Sequence, residues 1–355
     1  MGSAWPTQPS EQFSRLHDSF QRAADDLCVV PYWIRLAGHP IQLRVAGAEL
    51  GAALSRPLVR SAGGESGVGA TLAVDIWDSS AAPGVTVPGA PTELRTYGLV
   101  SSDAEGRFVV DSRPNALLVL DRLANRIVGH YAGSGSLFLD ERARPFHRLL
   151  SIWLGDRGVQ FIHAGAVSAN DDLGILLAGG GGAGKSTTSL LCLLSGFGYL
   201  SDDFAAFTRS AAAITAHCLF ASAVVQMHHL TQFPSLAGAA HGPNHAHEDK
   251  SIVYVNELMP SSVRPHVPIR AILLPEVMHR PQTRIVGAAA REALLRLAPS
   301  SVMLLPGGGP RALQRLTSLV NAVPAFKLEL GYDYDRIADL IYDHASGLSA
   351  QTMAG

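Results

Sequence analysis

Lysine is nearly missing from this chain. Of 28 basic residues, only Lys185, Lys250 and Lys327 are lysines, and arginine supplies the rest. Codon usage accounts for such a bias in general, but each surviving ammonium draws attention to chemistry a guanidinium cannot copy. Cysteine is almost as scarce. Cys28, Cys192 and Cys218 stand alone with no CxxC spacing, which excludes a disulfide framework or a cysteine metal cluster and fits a reducing cytoplasm. Charged residues are few and the net charge is −2, so no electrostatic footprint for nucleic acid is present. No run of apolar residues is long enough to span a membrane. The opening "MGSAWPTQPSEQFSRLHDSF" lacks a basic start followed by an apolar core, and no secretory signal is expected.

What the chain does have is apolar material. Hydrophobic residues make up 47% of 355, enough for two domains with their own cores. A helical opening (12–27) leads into β-rich text. "PYWIRLAGHPIQLRVAG" and "TLAVDIWD" run or alternate apolar, "LVSSDAEGRFVVDS" reads as a hairpin turning at 103–106, and "ALLVLDRLANRIVGHYAG" and "SLFLDE" add strands. Residues 1–138 are thus expected to form a mostly-β domain. "DERARPFHRLLSIWLGDRG" reads as one amphipathic helix opening a second domain over 139–355. There, strands alternate with helices as in α/β layers: two strands around "ANDD", a helix over "KSTTSLLCLLSGF", a strand over "YLSDDFAAFT", and later strands and helices to the end. "SLAGAAHGPNHAHEDK" (235–250) reads as a mobile surface loop.

The strongest local signal is "GILLAGGGGAGKSTTSLL" (174–191). Gly179, Gly184, Lys185 and Ser186 satisfy GxxxxGK[ST] between an apolar strand and a helix, the context a phosphate-binding loop requires. Gly179, Gly180, Gly181, Gly182, Ala183 and Gly184 let backbone N–H groups turn inward. The helix starting at Lys185, with Ser186 and Thr187 in its first turn, aims its positive end at the anion. Lys185 reaches the β- and γ-phosphates and the Ser186 hydroxyl is a natural Mg²⁺ ligand, so ATP and Mg²⁺ are the expected cofactors.

Asp202 and Asp203 follow one helix later. On an adjacent parallel strand their carboxylates lie beside the phosphates, pointing to opposite sides. One can hold Mg²⁺ and the other can accept the proton of an incoming hydroxyl; the plainer alternative is a strand end opening a turn. His163 in "FIHAG" ends the preceding strand, either near the γ-phosphate or as an ordinary strand-end histidine. No Asn-Lys-x-Asp guanine reader and no Leu-Ser-Gly-Gly-Gln signature is present, so a GTPase switch and a transporter ATPase fit poorly. The short interval from Lys185 to Asp202 favours a compact kinase.

His163–Gly165, the GxxxxGKS loop and Leu200–Asp203 together resemble the catalytic domain of HPr kinase/phosphorylase. That resemblance implies an α/β fold: a C-terminal P-loop kinase domain of the HPr kinase/PEP carboxykinase type, here preceded by a mostly-β N-terminal domain. It places His163, Lys185, Ser186, Asp202 and Asp203 on active-site positions, with Asp202 as proton acceptor for a serine hydroxyl and Asp203 supporting Mg²⁺. Thr187 stands where that family usually has an acidic residue, and its Glu-Val-Arg-Gly segment is missing. "VDIWDS" (74–79), "APSS…LPG" (298–307) and "LELGYD" (328–333) are similar to a subgroup encoded beside lasso-peptide biosynthesis genes. The subgroup implies a peptide acceptor, the C-terminal serine of a precursor peptide, with the N-terminal domain helping to bind it. In it Lys250 leads a strand near the phosphate or the acceptor, unless it is simply a solvated lysine. His241, His245 and His247 lack a partnering carboxylate at regular spacing, and a metal site there is not expected. A small-metabolite kinase and a non-catalytic ATP sensor are the alternatives.

Overall fold

The computed structural model describes residues 8–59, 71–88, 99–245, 248–303, 305–306 and 309–353. The chain divides into two compact units, residues 1–153 with 243–248, and residues 154–242 with 249–355. Gly307, in the "LPG" stretch, and His247 lie outside the described residues.

The first unit is organised on one mixed sheet. Helix α1 (Pro9–Asp26) precedes β1 (Val29–Leu36) and β2 (His39–Ala46), the short helix α2 (Ala48–Ser55), and strands β3 (Leu72–Asp78), β4 (Leu99–Ser102), β5 (Phe108–Arg113), β6 (Ala116–Asp121) and β7 (Arg126–Tyr131). Their order is β1-β2-β3-β7-β6-β5-β4, with β3 parallel to both neighbours and the remaining pairs antiparallel. Helix α1 buries Gln12, Leu16, Ser19, Phe20 and Ala23, one face at helical spacing. Leu16, Phe20 and Ala23 share a core with Trp77, Val110, Val119 and Val128 of the sheet. The turn at 103–106 forms as the sequence suggests, with Gly106 N–H donating to Asp103 O. In "VDIWDS", Asp75 is wholly buried and takes Arg44 at 2.6 Å on one side and Arg126 on the other. Asp78 ends β3 by accepting the N–H groups of Ser80 and Ala81, a side-chain-made turn.

Four sequence expectations change after β7. "SLFLDE" is not a strand: it forms a 3-10 turn (Ser134–Ser136) and helix α3 (Leu139–Ala143), whose entry is fixed by the Glu141 carboxylate accepting Phe138 N–H. The single helix expected over 140–158 is two, because α4 (His147–Gly155) begins only after Pro145, which has no N–H to extend α3. Phe146 takes the left-handed turn between them, at φ 59°. Residues 139–153, expected to open the second domain, group with the first unit. So do residues 243–248 from the stretch read as a mobile loop. Glu248 accepts Leu139 N–H at 2.7 Å, Asn244 donates to Leu137 O, and the His245 ring lies 4.6 Å from that of Phe138.

The second unit contains β8 (Gln160–Ser168), β9 (Gly174–Ala178), α5 (Lys185–Leu194), β10 (Gly198–Ser201), β11 (Phe204–Arg209), β12 (Ile214–His217), β13 (Ser222–Gln226), α6 (Pro234–Ala237), β14 (Ala240–His241), β15 (Lys250–Tyr254), α7 (Val255–Leu258), β16 (His266–Val277), β17 (Arg284–Ala288), α8 (Ala290–Met303), α9 (Pro310–Ala322), β18 (Ala325–Leu330) and α10 (Tyr334–Met353). Strand β8 pairs with β9 on one side and with β10 and β11 on the other. Strands β9 and β18 run parallel to β16, and β12 joins β11 to the start of β16. The pairings β8–β9–β16–β12–β11–β8 therefore close on themselves. A separate three-stranded sheet, β13-β15-β14, lies in the same unit. One core cluster joins Leu177, Cys192, Leu273, Leu328 and Ile337, tying β9, α5, β16, β18 and α10 together. The chain is thus mixed α/β with several mixed sheets. No helix of the described residues is long and apolar enough to cross a membrane.

On β7, His130 is buried 5.3 Å from the Trp77 ring, and burial pushes its imidazole down from 6.5 to about 4. The unfolded chain binds that proton near pH 6.5, whereas the folded unit does not until about pH 4. Its contribution to stability is therefore full above pH 6.5 and is lost as the pH falls towards 4, at most about 3 kcal/mol. His147, also lowered by burial, acts in the same direction, while Glu141, pushed up to about 7 by burial, opposes both. We expect His130→Gln to flatten the acid-induced fall in thermal unfolding temperature of the first unit between pH 7 and 4. An unchanged slope would remove His130 from the acid response.

Candidate active site

Strand β9 runs apolar and fully buried to Ala178, the chain turns through Gly179–Gly184, and α5 starts at Lys185. Gly182 and Gly184 have φ of 76° and 101°, a region that favours glycine. At Gly184 a Cβ would also meet the Leu330 side chain at 2.5 Å, so the loop rests on the end of β18. Methyl groups built on Gly180, Gly181 or Gly182 would meet nothing within 4 Å. These exposed glycines border open space. Gly184 offers no side chain to cap α5, and the first N–H groups of a helix have no partner within it.

Lys185 is buried beneath this loop, its Nζ donating to Gly179 O at 2.7 Å and Gly180 O at 3.1 Å. Burial lowers its pKa, and the charges of Asp203 and Asp202 act against that lowering. Both carboxylates therefore lie within electrostatic reach of the ammonium. Ser186 and Thr187 are half-buried, and neither hydroxyl is hydrogen-bonded within the described residues.

Strand β8 brings loop and carboxylates together. Ala164 pairs with Ala178, the residue before the loop, while His163 pairs with Phe204 and Ala166 with Ser201. Asp202 and Asp203, between Ser201 and Phe204, therefore face the start of the loop across one strand, about 10 Å backbone to backbone. This corrects the expected arrangement: the acidic pair does not sit on a strand adjacent to β9, because β8 lies between. Nor does it sit within one strand, since "YLSDDFAAFT" bends at Asp202–Asp203 and splits into β10 and β11. Gly165 clears the way for α5, where a Cβ would stand 2.7 Å from Ser189 Oγ.

The two carboxylates point to different partners. Asp203, 23% exposed at its side chain, takes His163 Nε2 at 2.5 Å. The His163 ring stacks on Phe204, its backbone N–H donates to Ser301 Oγ on α8, and its buried Nδ1 has no hydrogen-bond partner. Asp202 is only 3% exposed. Its Oδ1 lies 3.3 Å from the Tyr199 hydroxyl and its Oδ2 accepts Val224 N–H at 3.0 Å. Asp202, expected to receive a proton from an incoming hydroxyl, is the more buried of the two carboxylates. Its oxygens are engaged inside the fold, and Asp203 is the carboxylate with open surface.

Lys250 leads β15 two residues before Ile252, which pairs with Val224, the partner of Asp202. Lys250 is exposed at the start of β15, opposite Gln226, and has no ion-pair partner among the described residues. His241 packs on Tyr254 and His245 on Phe138. Among the described residues no three His, Cys, Asp or Glu side chains group to hold a metal. A divalent ion here would need ligands brought by a phosphate group in addition to Ser186 and a carboxylate. That donor set fits magnesium arriving with a nucleotide.

Tyr199, Val224 and Ser301 escaped the sequence reading as site residues. Tyr199 was legible only as strand, and Val224 acts through its backbone. Ser301 lies inside "APSS", where the resemblance pointed but assigned no role. "LELGYD" has a structural task, with Asp333 accepting the N–H and hydroxyl of Thr283.

No family model matches the chain, and no curated protein sequence matches it. Among solved structures it is similar to the HPr(Ser) kinase/phosphatase from Coxiella burnetii, at 16% identity over 55% of this chain and 99% of that one, with a TM-score of 0.28. A superposition that loose fixes neither fold nor function.

Tyr199 is fully buried, with its hydroxyl 2.8 Å from Ser222 O. We expect Tyr199→Phe to strand that carbonyl and weaken the hold on Asp202, costing about 1–3 kcal/mol in urea unfolding. Wild-type stability in this variant would show that the hydroxyl does not hold the bend.

Proposed function

We propose that this chain is an ATP- and magnesium-dependent kinase that transfers a phosphoryl group to a serine hydroxyl of a peptide or small protein. The observation that carries the reading is the open glycine loop, with Lys185 beneath it and two carboxylates across a single strand. An uncapped helix end and a glycine loop bordering open space suit a polyphosphate. On its arrival, Lys185 exchanges the carbonyls of Gly179 and Gly180 for phosphate oxygens. Ser186, together with phosphate oxygens, would hold magnesium, which would neutralise charge on the phosphates. Asp203 accepts the proton of the acceptor hydroxyl, and His163, donating its Nε2–H to the other side of the carboxylate, orients it. Asp202, tied to Tyr199 and Val224, keeps the bend in place.

The acceptor to try first comes from the sequence resemblance: the C-terminal serine of a lasso precursor peptide. The open polar surface at Asp203 does not itself select among hydroxyls, so the acceptor class rests on that resemblance.

The test is incubation with labelled ATP and the peptide encoded beside the gene, with the label located by mass spectrometry. Lys185→Met should weaken ATP binding at least about tenfold. Asp203→Asn should keep ATP binding and slow transfer about a hundredfold or more. Asp202→Asn should chiefly lower stability. If Asp202→Asn alone abolishes transfer in a folded chain, the proton passes to Asp202 instead. ATP binding with no transfer to any peptide would turn the reading towards a sensor.

A further inference from the structure

We infer that the second unit carries a separate oxyanion site, built from Arg209 and Arg315 at the far end of β11. A cavity of about 340 Å³ is lined by Gly158, Phe207, Arg209, Gln314, Arg315 and Ser318, a volume at the lower end of small-molecule sites. Gln314, Arg315 and Ser318 project from neighbouring positions on α9, and Phe207 and Arg209 lie two apart on β11, on one side of that strand.

The charge balance marks this cavity. Arg209 is exposed and Arg315 half-buried; some other arginines at such positions have a carboxylate, Arg280 with Glu329 at 2.6 Å and Arg107 with Asp121 at 2.7 Å. Arg209 and Arg315 have none among the described residues, and no acidic residue lines the cavity. Asp156, in the turn before Gly158, acts on Arg157. Each of the two guanidinium groups uses one N–H on a backbone carbonyl, Arg209 on Ser318 O at 3.3 Å and Arg315 on Gly155 O at 3.1 Å. Those bonds hold the planar groups in place and leave most of their five N–H donors for something else. Two like charges lining one small cavity repel, and an oxyanion between them turns that repulsion into two charge-assisted contacts. The Gln314 amide and Ser318 hydroxyl add neutral donors, and the Phe207 ring provides an apolar wall for a short carbon frame.

This site is not the phosphate loop. Six residues of extended chain from Asp203 to Arg209 cover about 20 Å, so one small ligand cannot occupy both places. The ligand class is a small molecule bearing phosphate or carboxylate groups.

The experiment is isothermal titration of inorganic pyrophosphate, and separately of citrate, into full-length Lys185→Met, in which the phosphate loop is disabled. At least one anion should bind, and adding Arg209→Gln and Arg315→Gln should weaken it at least about tenfold. Thermal unfolding of each variant reports that the fold is intact, and Arg209→Gln alone, at an exposed position, serves if the double change does not fold. Binding of pyrophosphate only assigns a phosphorylated ligand, and binding of citrate only a carboxylated one. Failure of both anions to bind Lys185→Met, or binding undiminished without the two arginines, overturns the inference. Neither result depends on whether the chain transfers phosphate.

Discussion

Three residues of β8 bear the geometry of the whole candidate site. His163 holds Asp203, Ala164 pairs in register with the last residue before the glycine loop, and Gly165 leaves room for α5. Strand spacing then sets the gap between loop and carboxylates without further adjustment, because β8 pairs on both edges at once. A slip of one residue along either edge would turn every side chain of β8 to its opposite face. It would part His163 from Asp203 and set a larger side chain against Ser189. The register of one buried strand is therefore also the alignment of the chemistry.

The loop itself illustrates how a charge is stored at rest. A buried ammonium without partners is costly, and Lys185 avoids that cost by bonding two carbonyls of the loop it serves. The first unit handles its buried charges differently. Arg113, Asp111, Glu141 and Arg148 are interlocked with one another, and Asp75 is clasped between two arginines. Such closed networks have their donors and acceptors turned inward and specify how strands and helices meet.

Much of this was legible in the amino-acid order, and the remainder was not for definite reasons. Strand, glycine loop and helix over 174–194 could be read because glycine, lysine and apolar periodicity all point to the same local structure. Asp202 and Asp203 could be singled out by distance from Lys185. Their division of labour could not, since it depends on Val224 and Tyr199, which carry no pattern of their own. Periodicity identifies strands without naming their neighbours, so β8 lying between β9 and β10 was invisible, and so was the bend that splits β10 from β11. Around 140–158 the helical spacing was real, but Pro145 outweighed it. Helix α2 was missed because Gly51 and three alanines blur its apolar face.

Residues 243–248 belong with a unit whose other members end at Trp153. A growing polypeptide emerges from the ribosome in order, so the backbone N–H of Leu139 is made some hundred residues before the Glu248 carboxylate that receives it. During synthesis the earlier unit stays unfinished while the glycine loop, α5 and the paired aspartates are already outside the tunnel. The earlier unit is complete only once residue 248 has emerged, with the second unit still lacking β16, β18 and α10, and a single cut at residue 153 would sever the earlier one from its last piece.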